Sequence, residues 1–281
     1  MEDLLGDAAG ALVVTRAAGV VTLRLDRPER HNAISYAMWL AFARVMPALA
    51  ADEAVDVVVL RGTPGGPFSA GADISEFETL RAGAAGARAY SDAVAAGERA
   101  LIEFPKPTIA LVQGFAIGGG TQLAVACDLR IADPTSRFGV TPAKLGIVYG
   151  LGSTARLVET VGAGWARWIL LTGDLLDAES ALRIGLVHEV HPPEQAEARA
   201  YALAATLAAR ARISLTGGKQ LVARAAAGRR EEDPEVQALY EQSWASPEYA
   251  EGVAAFLAKR SPNFRAARGG QDGPPTTGAL A

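Results

Sequence analysis

Several residue types that build specialised sites are scarce in this sequence. Cys127 is the one cysteine in 281 residues, which excludes an internal disulfide framework and fits a reducing compartment. It lies in an apolar run and reads as a buried structural thiol. Only three histidines occur. His188 and His191 stand together near a short strand, but without further ligands beside them they fit a packing or surface role, and no metal or nicotinamide cofactor is expected. No uninterrupted apolar run approaches the ~20 residues of a membrane helix. The acidic start, Met1 to Asp7, lacks the basic region of a secretory signal and the arginines of a transit peptide. A net charge of −4 gives no reason to expect nucleic acid or an anionic membrane surface. A cytoplasmic protein is therefore the expectation.

What is present is an ordinary apolar fraction, 50%, in a chain long enough to bury a sizeable core. Leu12–Thr15 and Val20–Leu25 read as a hairpin across Ala17 to Gly19. A helical stretch follows from about Ser35 to Ala50. The β-branched run Val55–Leu60 reads as a strand buried on both faces, broken by the Gly/Pro cluster Gly62 to Pro67. An alanine-rich helical stretch runs from about Ser75 to Glu103, and its residues are expected to line a pocket. Thr108–Val112 is another buried strand, then Thr121–Cys127 helical and Asp128–Ala132 extended. Residues 140–190 are more helical, with Val187–Val190 as a short strand. Strands alternating with helices predict an α/β architecture with crossover connections. The composition divides the chain into a core over residues 1–200, a helical C-terminal subdomain over 201–265, and a Gly/Pro/Thr/Ala-rich tail over 266–281 expected to lack order.

Two glycine turns carry the chemistry. Pro67-Phe68-Ser69-Ala70-Gly71-Ala72-Asp73-Ile74 and Gln113-Gly114-Phe115-Ala116-Ile117-Gly118-Gly119-Gly120 each follow an apolar β-like run and lead into a helix-like run. Each places glycine where backbone amides can approach a ligand closely. Two such turns can supply two N–H groups to one developing oxyanion, which suggests an enolate intermediate.

Together with Arg27 to Ala33, Pro105-Lys106-Pro107, Cys127 to Ala132, Leu171-Thr172-Gly173, Gly185-Leu186-Val187 and Glu251 to Arg260, these turns make the chain resemble the crotonase superfamily, the enoyl-CoA hydratase/isomerase family, from about Leu12 to Phe264. The resemblance implies a crotonase-like spiral of β-β-α units with a helical C-terminal trimerisation region, a homotrimer or a dimer of trimers, and a bound acyl-CoA thioester. Coenzyme A then enters as part of the substrate. By the same resemblance the backbone amides of Ala72 and Gly119 form the oxyanion hole. The backbone around Ala70, Asp73 and Ile74 faces the adenine and pantetheine, and Arg30, Phe256 and Lys259 lie near the nucleotide.

The chain departs from the hydratases of that family. They carry two glutamates, and the matching positions here are Gln122 and Pro142. Other members place an aspartate a few residues further on, where this chain has Gly150. Glutamine orients water but is no base near neutral pH, and proline offers neither acid nor base. Tyr149 lies in a segment similar to that of methylmalonyl-CoA decarboxylases, where a tyrosine sits beside the substrate carboxylate. Lys144, Glu76 and Asp128 are weaker candidates: Asp128 reads as structural and Glu76 as a helix N-terminal acid. Three readings follow. The chain is a hydratase/isomerase-like acyl-CoA enzyme, a decarboxylase of a malonyl-CoA-type substrate using Tyr149, or a catalytically inactive acyl-CoA-binding oligomer.

Overall fold

Ala18 and Gly19 turn the chain at its first hairpin, and the positive φ of both residues suits the tight reversal. The computed structural model describes residues 2–269. Its strands are β1 Leu12–Ala17, β2 Val20–Leu25, β3 Val57–Arg61, β4 Thr108–Val112, β5 Phe115–Ile117, β6 Leu129–Ala132, β7 Arg137–Gly139, β8 Leu176–Asp177 and β9 Glu189–Val190. The larger sheet has the order β1-β2-β3-β4-β6-β9. Its first pair is antiparallel and the remaining pairs are parallel. The smaller sheet is β5-β7-β8.

The two sheets explain the spiral. A strand of the large sheet is followed by a strand of the small one and then by helix, as in β4, β5 and the helix Gly119–Ala126. This is the α/β arrangement that the strand–helix alternation predicts, in the crotonase-like β-β-α units that the resemblance implies. The strands of the small sheet are two or three residues long, too short to show a periodicity of their own.

β3 and β4 are buried along their whole length, as the apolar run at Val55–Leu60 predicts. Val58, Leu60, Ala110 and Val112 face the main core, with Trp39, Phe42, Phe68 and Phe104. Val57, Val59, Ile109 and Leu111 face a second cluster completed by Ala196, Ala200 and Ala204. The period-2 alternation of a strand thus feeds two cores at once. The helix Tyr36–Ala51 lies over the first core and is capped by Ser35, whose Oγ accepts the Met38 N–H at 3.3 Å. The helical stretch read as continuous from Ser75 breaks into a 3₁₀ turn Ile74–Glu76, a short helix Phe77–Leu80 and the long helix Gly83–Ile102.

The helix Pro193–Ala208 packs on the large sheet through its alanines and runs across residues 200 and 201, where the sequence suggests a boundary. After it come the helices Arg212–Ala226, Pro234–Trp244 and Pro247–Leu257. Glu248 ties this region together by accepting the N–H groups of Arg212 and Ile213, each at 2.8 Å. Lys219 reaches Asp128 at 2.8 Å. Of the expected tail, residues 266–269 belong to or follow a short helix, Phe264–Ala267. Residues 270–281 lie outside the described residues. No helix among the described residues is long and apolar enough to cross a membrane.

Candidate active site

The first glycine turn is fixed by a bridge between Ile34 and Ala72. Ile34 donates its N–H to Gly71 O at 2.7 Å, and Asp73 donates to Ile34 O at 3.0 Å. In such a bridge the residue between, Ala72, points its own N–H to the opposite side. Gly71 makes the turn possible. Its φ is +101°, and a Cβ there would lie 2.6 Å from the Ile117 carbonyl oxygen.

The second turn is fixed by Gly118, at φ +52° and ψ −115°, which donates to Gly139 O at 2.7 Å. Gly119 follows as the first residue of a helix, where its N–H has no intrahelical acceptor. The two turns meet. A Cβ built on Gly119 would lie 3.4 Å from the Ala72 nitrogen, and one built on Gly71 would lie 3.4 Å from the Gly119 nitrogen. Among the described residues neither amide donates to a protein acceptor. The positive end of the helix Gly119–Ala126 adds to the same spot.

Both amides open on a cavity of about 570 Å³. Its wall includes Ala70, Ile74, Glu98, Gln122, Pro142, Tyr149, Gly150 and Ser153, with Phe77 and Tyr90 from the helical segments after the first turn. The structure therefore brings Ala72, Gly119, Gln122 and Tyr149 to one cavity. Pro142 opens a 3₁₀ turn and Gly150 precedes the helix Leu151–Thr172, so the positions where the resemblance implies acids lie on the wall, without carboxylates.

A buried carboxylate is nevertheless there, beside the exposed Asp92. Glu98, on the helix Gly83–Ile102, is only 5% exposed. Gln122 Nε2 donates to Glu98 Oε2 at 2.7 Å, and Ser153 Oγ donates to the same oxygen at 2.7 Å. Gln122 Nε2 also donates to Ser153 Oγ at 2.8 Å. Burial pushes the Glu98 carboxyl above the ordinary value of 4.5, against the opposing effect of these bonds and of the Arg156 charge. Composition and spacing do not single Glu98 out. Its helical phase does: it shares the buried face with Tyr90, Ala93, Gly97 and Leu101, where a glutamate needs a partner or a purpose.

Tyr149 is half-buried. Burial, and secondarily the charge of Glu98, push its phenol well above the usual range, so the hydroxyl keeps its proton. Asp73 forms an ion pair with Arg27 at 2.8 Å, and its Oδ1 accepts the Ser75 N–H at 3.2 Å. Its side chain is thus occupied in holding the turn. Arg30, Phe256 and Lys259 are exposed and lie outside the residues that line the cavity.

The remaining candidates have structural partners. Asp128 Oδ2 accepts from the Thr108 N–H and hydroxyl, each at 2.8 Å. Glu76 accepts the Tyr36 N–H at 2.8 Å. His188 Nδ1 accepts the Arg130 N–H at 3.1 Å, and His191 pairs with Glu189 at 2.7 Å. Cys127 is fully buried and its thiol is pushed up to about 12 by desolvation, which makes it inert.

Two unclaimed backbone amides thus meet at one cavity on a two-sheet β-β-α spiral. The family model for enoyl-CoA hydratase/isomerase matches residues 15–267, and the chain belongs to that family, in the crotonase superfamily. It is 33% identical over 261 residues to a 2,3-dehydroadipyl-CoA hydratase of Escherichia coli, covering 90% of this chain and 98% of the relative. It is 32% identical over 263 residues to a crotonyl-CoA hydratase of Syntrophomonas wolfei, covering 90% and 97%. A crystal structure of an enoyl-CoA hydratase/carnithine racemase from Magnetospirillum magneticum superposes with a TM-score of 0.87 at 33% identity, covering 90% of this chain and 95% of that one.

Proposed function

We propose that the chain binds an acyl-CoA thioester and holds its enolate oxygen between the amides of Ala72 and Gly119. The observation that carries this reading is the meeting of the two turns, with both N–H groups unclaimed at the cavity floor. Amides fixed before the substrate arrives need no reorganisation as charge moves onto the thioester oxygen, and one such donor contributes ~3–4 kcal/mol. No separate cofactor takes part, since the thioester itself delocalises the carbanion. Ala70 and Ile74 line the cavity beside the hole and suit the pantetheine. Arg30, Asp73, Phe256 and Lys259 belong in this reading to the nucleotide end. The reading also expects a homotrimer or a dimer of trimers, which the exposed Phe256 and Leu257 on the C-terminal helix would help to close.

Hydration, as the names of the relatives suggest, is the first reaction to test. Gln122 cannot serve as its base, and its amide is committed to Glu98 and Ser153. A mass-spectrometric screen of turnover across an acyl-CoA panel, with crotonyl-CoA followed by loss of enoyl absorbance, decides the reaction. Product from at least one thioester is expected. Saturable binding without any product would leave the inactive acyl-CoA-binding oligomer as the reading.

One observation favours a second reading, decarboxylation of a malonyl-CoA-type substrate. The Tyr149 phenol lines the cavity and stays protonated, so it can hydrogen-bond a carboxylate without repelling it. Carbon dioxide release from malonyl-CoA analogues should fall in Tyr149→Phe. Unchanged release would remove Tyr149 from the reaction.

A further inference from the structure

We propose that Glu98 is the group that moves the proton at the α-carbon of the bound thioester, a role taken over from the glutamates that Gln122 and Pro142 replace. The inference rests on the acyl-CoA reading above and deepens it.

The geometry is specific. Gln122 lies three residues after Gly119 on one helix, so the two are about 4.5 Å apart along its axis. Gln122 holds Glu98 at 2.7 Å. The carboxyl group therefore lies beside Gln122 on the wall of the cavity that Ala72 and Gly119 also line. That is the neighbourhood in which the α-carbon of a thioester must lie once its carbonyl oxygen reaches Ala72 and Gly119.

The carboxyl group is also held asymmetrically. Both hydrogen bonds, from Gln122 and from Ser153, go to Oε2. Oε1 has no protein partner among the described residues. The side-chain atoms that are sealed off and unpartnered belong to Arg24, Trp39, Asp56, Tyr90 and Arg212, so Oε1 keeps access to the cavity. One oxygen anchored and the other open is the arrangement a proton carrier requires.

The step balances without any added reagent. Oε1 takes the proton from the α-carbon. The C–H electron pair becomes the new carbon–carbon π bond of the enolate, and the carbonyl π pair moves onto the oxygen held by Ala72 and Gly119. Glu98 then delivers a proton, either back to the α-carbon, which is exchange once the carboxyl has traded its proton with solvent, or, for a β,γ-unsaturated thioester, to the γ-carbon as double-bond migration. Gln122 becomes a positioning residue in this account. The groups facing Glu98 are Gln122 from the helix Gly119–Ala126, Ser153 and Arg156 from the helix Leu151–Thr172, and Tyr149 just before it. Among these, burial sets the direction, and the carboxyl loses its proton at a higher pH than an ordinary glutamate.

The test uses the full chain and butyryl-CoA in D2O, with deuterium uptake at the α-carbon read by mass spectrometry. The wild type should exchange, with a rate that rises with pH as Glu98 ionises. Glu98→Gln should lower exchange about 10²-fold or more and abolish the pH rise. Glu98→Asp should retain part of the exchange. Acetoacetyl-CoA, a thioester that is already acidic, should still bind Glu98→Gln with an enolate absorbance band, which reports the oxyanion hole separately and shows that the variant is folded. Exchange in Glu98→Gln within about threefold of wild type and with the same pH profile would overturn the proposal, as would an enolate band in a wild type that exchanges nothing. Absence of that band in the wild type would instead remove the acyl-CoA reading beneath it.

Discussion

Glu98 is buried, and the cost of its charge there has a sign that can be followed with pH. Its folded value lies above 4.5, so its contribution to stability is fully present below about pH 4.5 and is lost as pH rises through the raised value. Glu98→Gln removes that loss while keeping an oxygen that can accept from Ser153 or Gln122. Urea unfolding of both proteins at pH 4.5 and pH 8 should show the balance moving toward the glutamine variant at the higher pH. A difference that is the same at both pH values would show that Glu98 does not titrate against burial. At the same scale, Gly71 and Gly118 earn their places by conformations that bring the Ala72 and Gly119 amides side by side.

At the scale of elements, the helix Gly83–Ile102 positions Glu98 because it lies close against the helix Tyr36–Ala51. Gly97 allows the approach: a Cβ there would lie 2.7 Å from the Trp39 carbonyl oxygen. Gly97→Ala should therefore separate the helices and cost about 1–3 kcal/mol in chemical denaturation. A loss confined to a few tenths would show that the helices shift freely. The elements also show what was legible in the sequence. β3 and β4 were readable because burial on both faces demands continuous apolar runs, and the helix Tyr36–Ala51 because Ser35 caps it. The small sheet was not, because strands as short as Phe115–Ile117 carry no pattern and exist through pairing with distant residues. At the site, the glycine turns were visible as motifs. Glu98 was not, since its meaning depends on which side chains two other helices bring to it.

For the whole molecule, the buried carboxylate of Asp56, just before the interior strand β3, ties the C-terminal segment to the large sheet. Asp56 meets Arg212 at 2.6 Å, Arg268 at 2.8 Å and Arg265 at 3.4 Å. Asp56→Ala leaves Arg212 with Glu53 and Arg268 with Glu248 as their remaining carboxylate partners and should cost about 1–3 kcal/mol. Calorimetric unfolding checks this, and an unchanged transition would mean that the arginines find other partners without loss. The network also bears on the proposed nucleotide end, because Phe256 and Lys259 belong to the same C-terminal segment.

The amides of Ala72 and Gly119 can be probed with acetoacetyl-CoA. Its enolate absorbs where the keto form does not, so a titration reads out stabilised negative charge on the thioester unit without requiring turnover. The wild type should raise the enolate band saturably, and Gly71→Ala should lose most of it, because a Cβ 2.6 Å from the Ile117 carbonyl oxygen displaces the turn that carries Ala72. Calorimetric binding of acetoacetyl-CoA to the wild type with no rise in the enolate band would contradict the account.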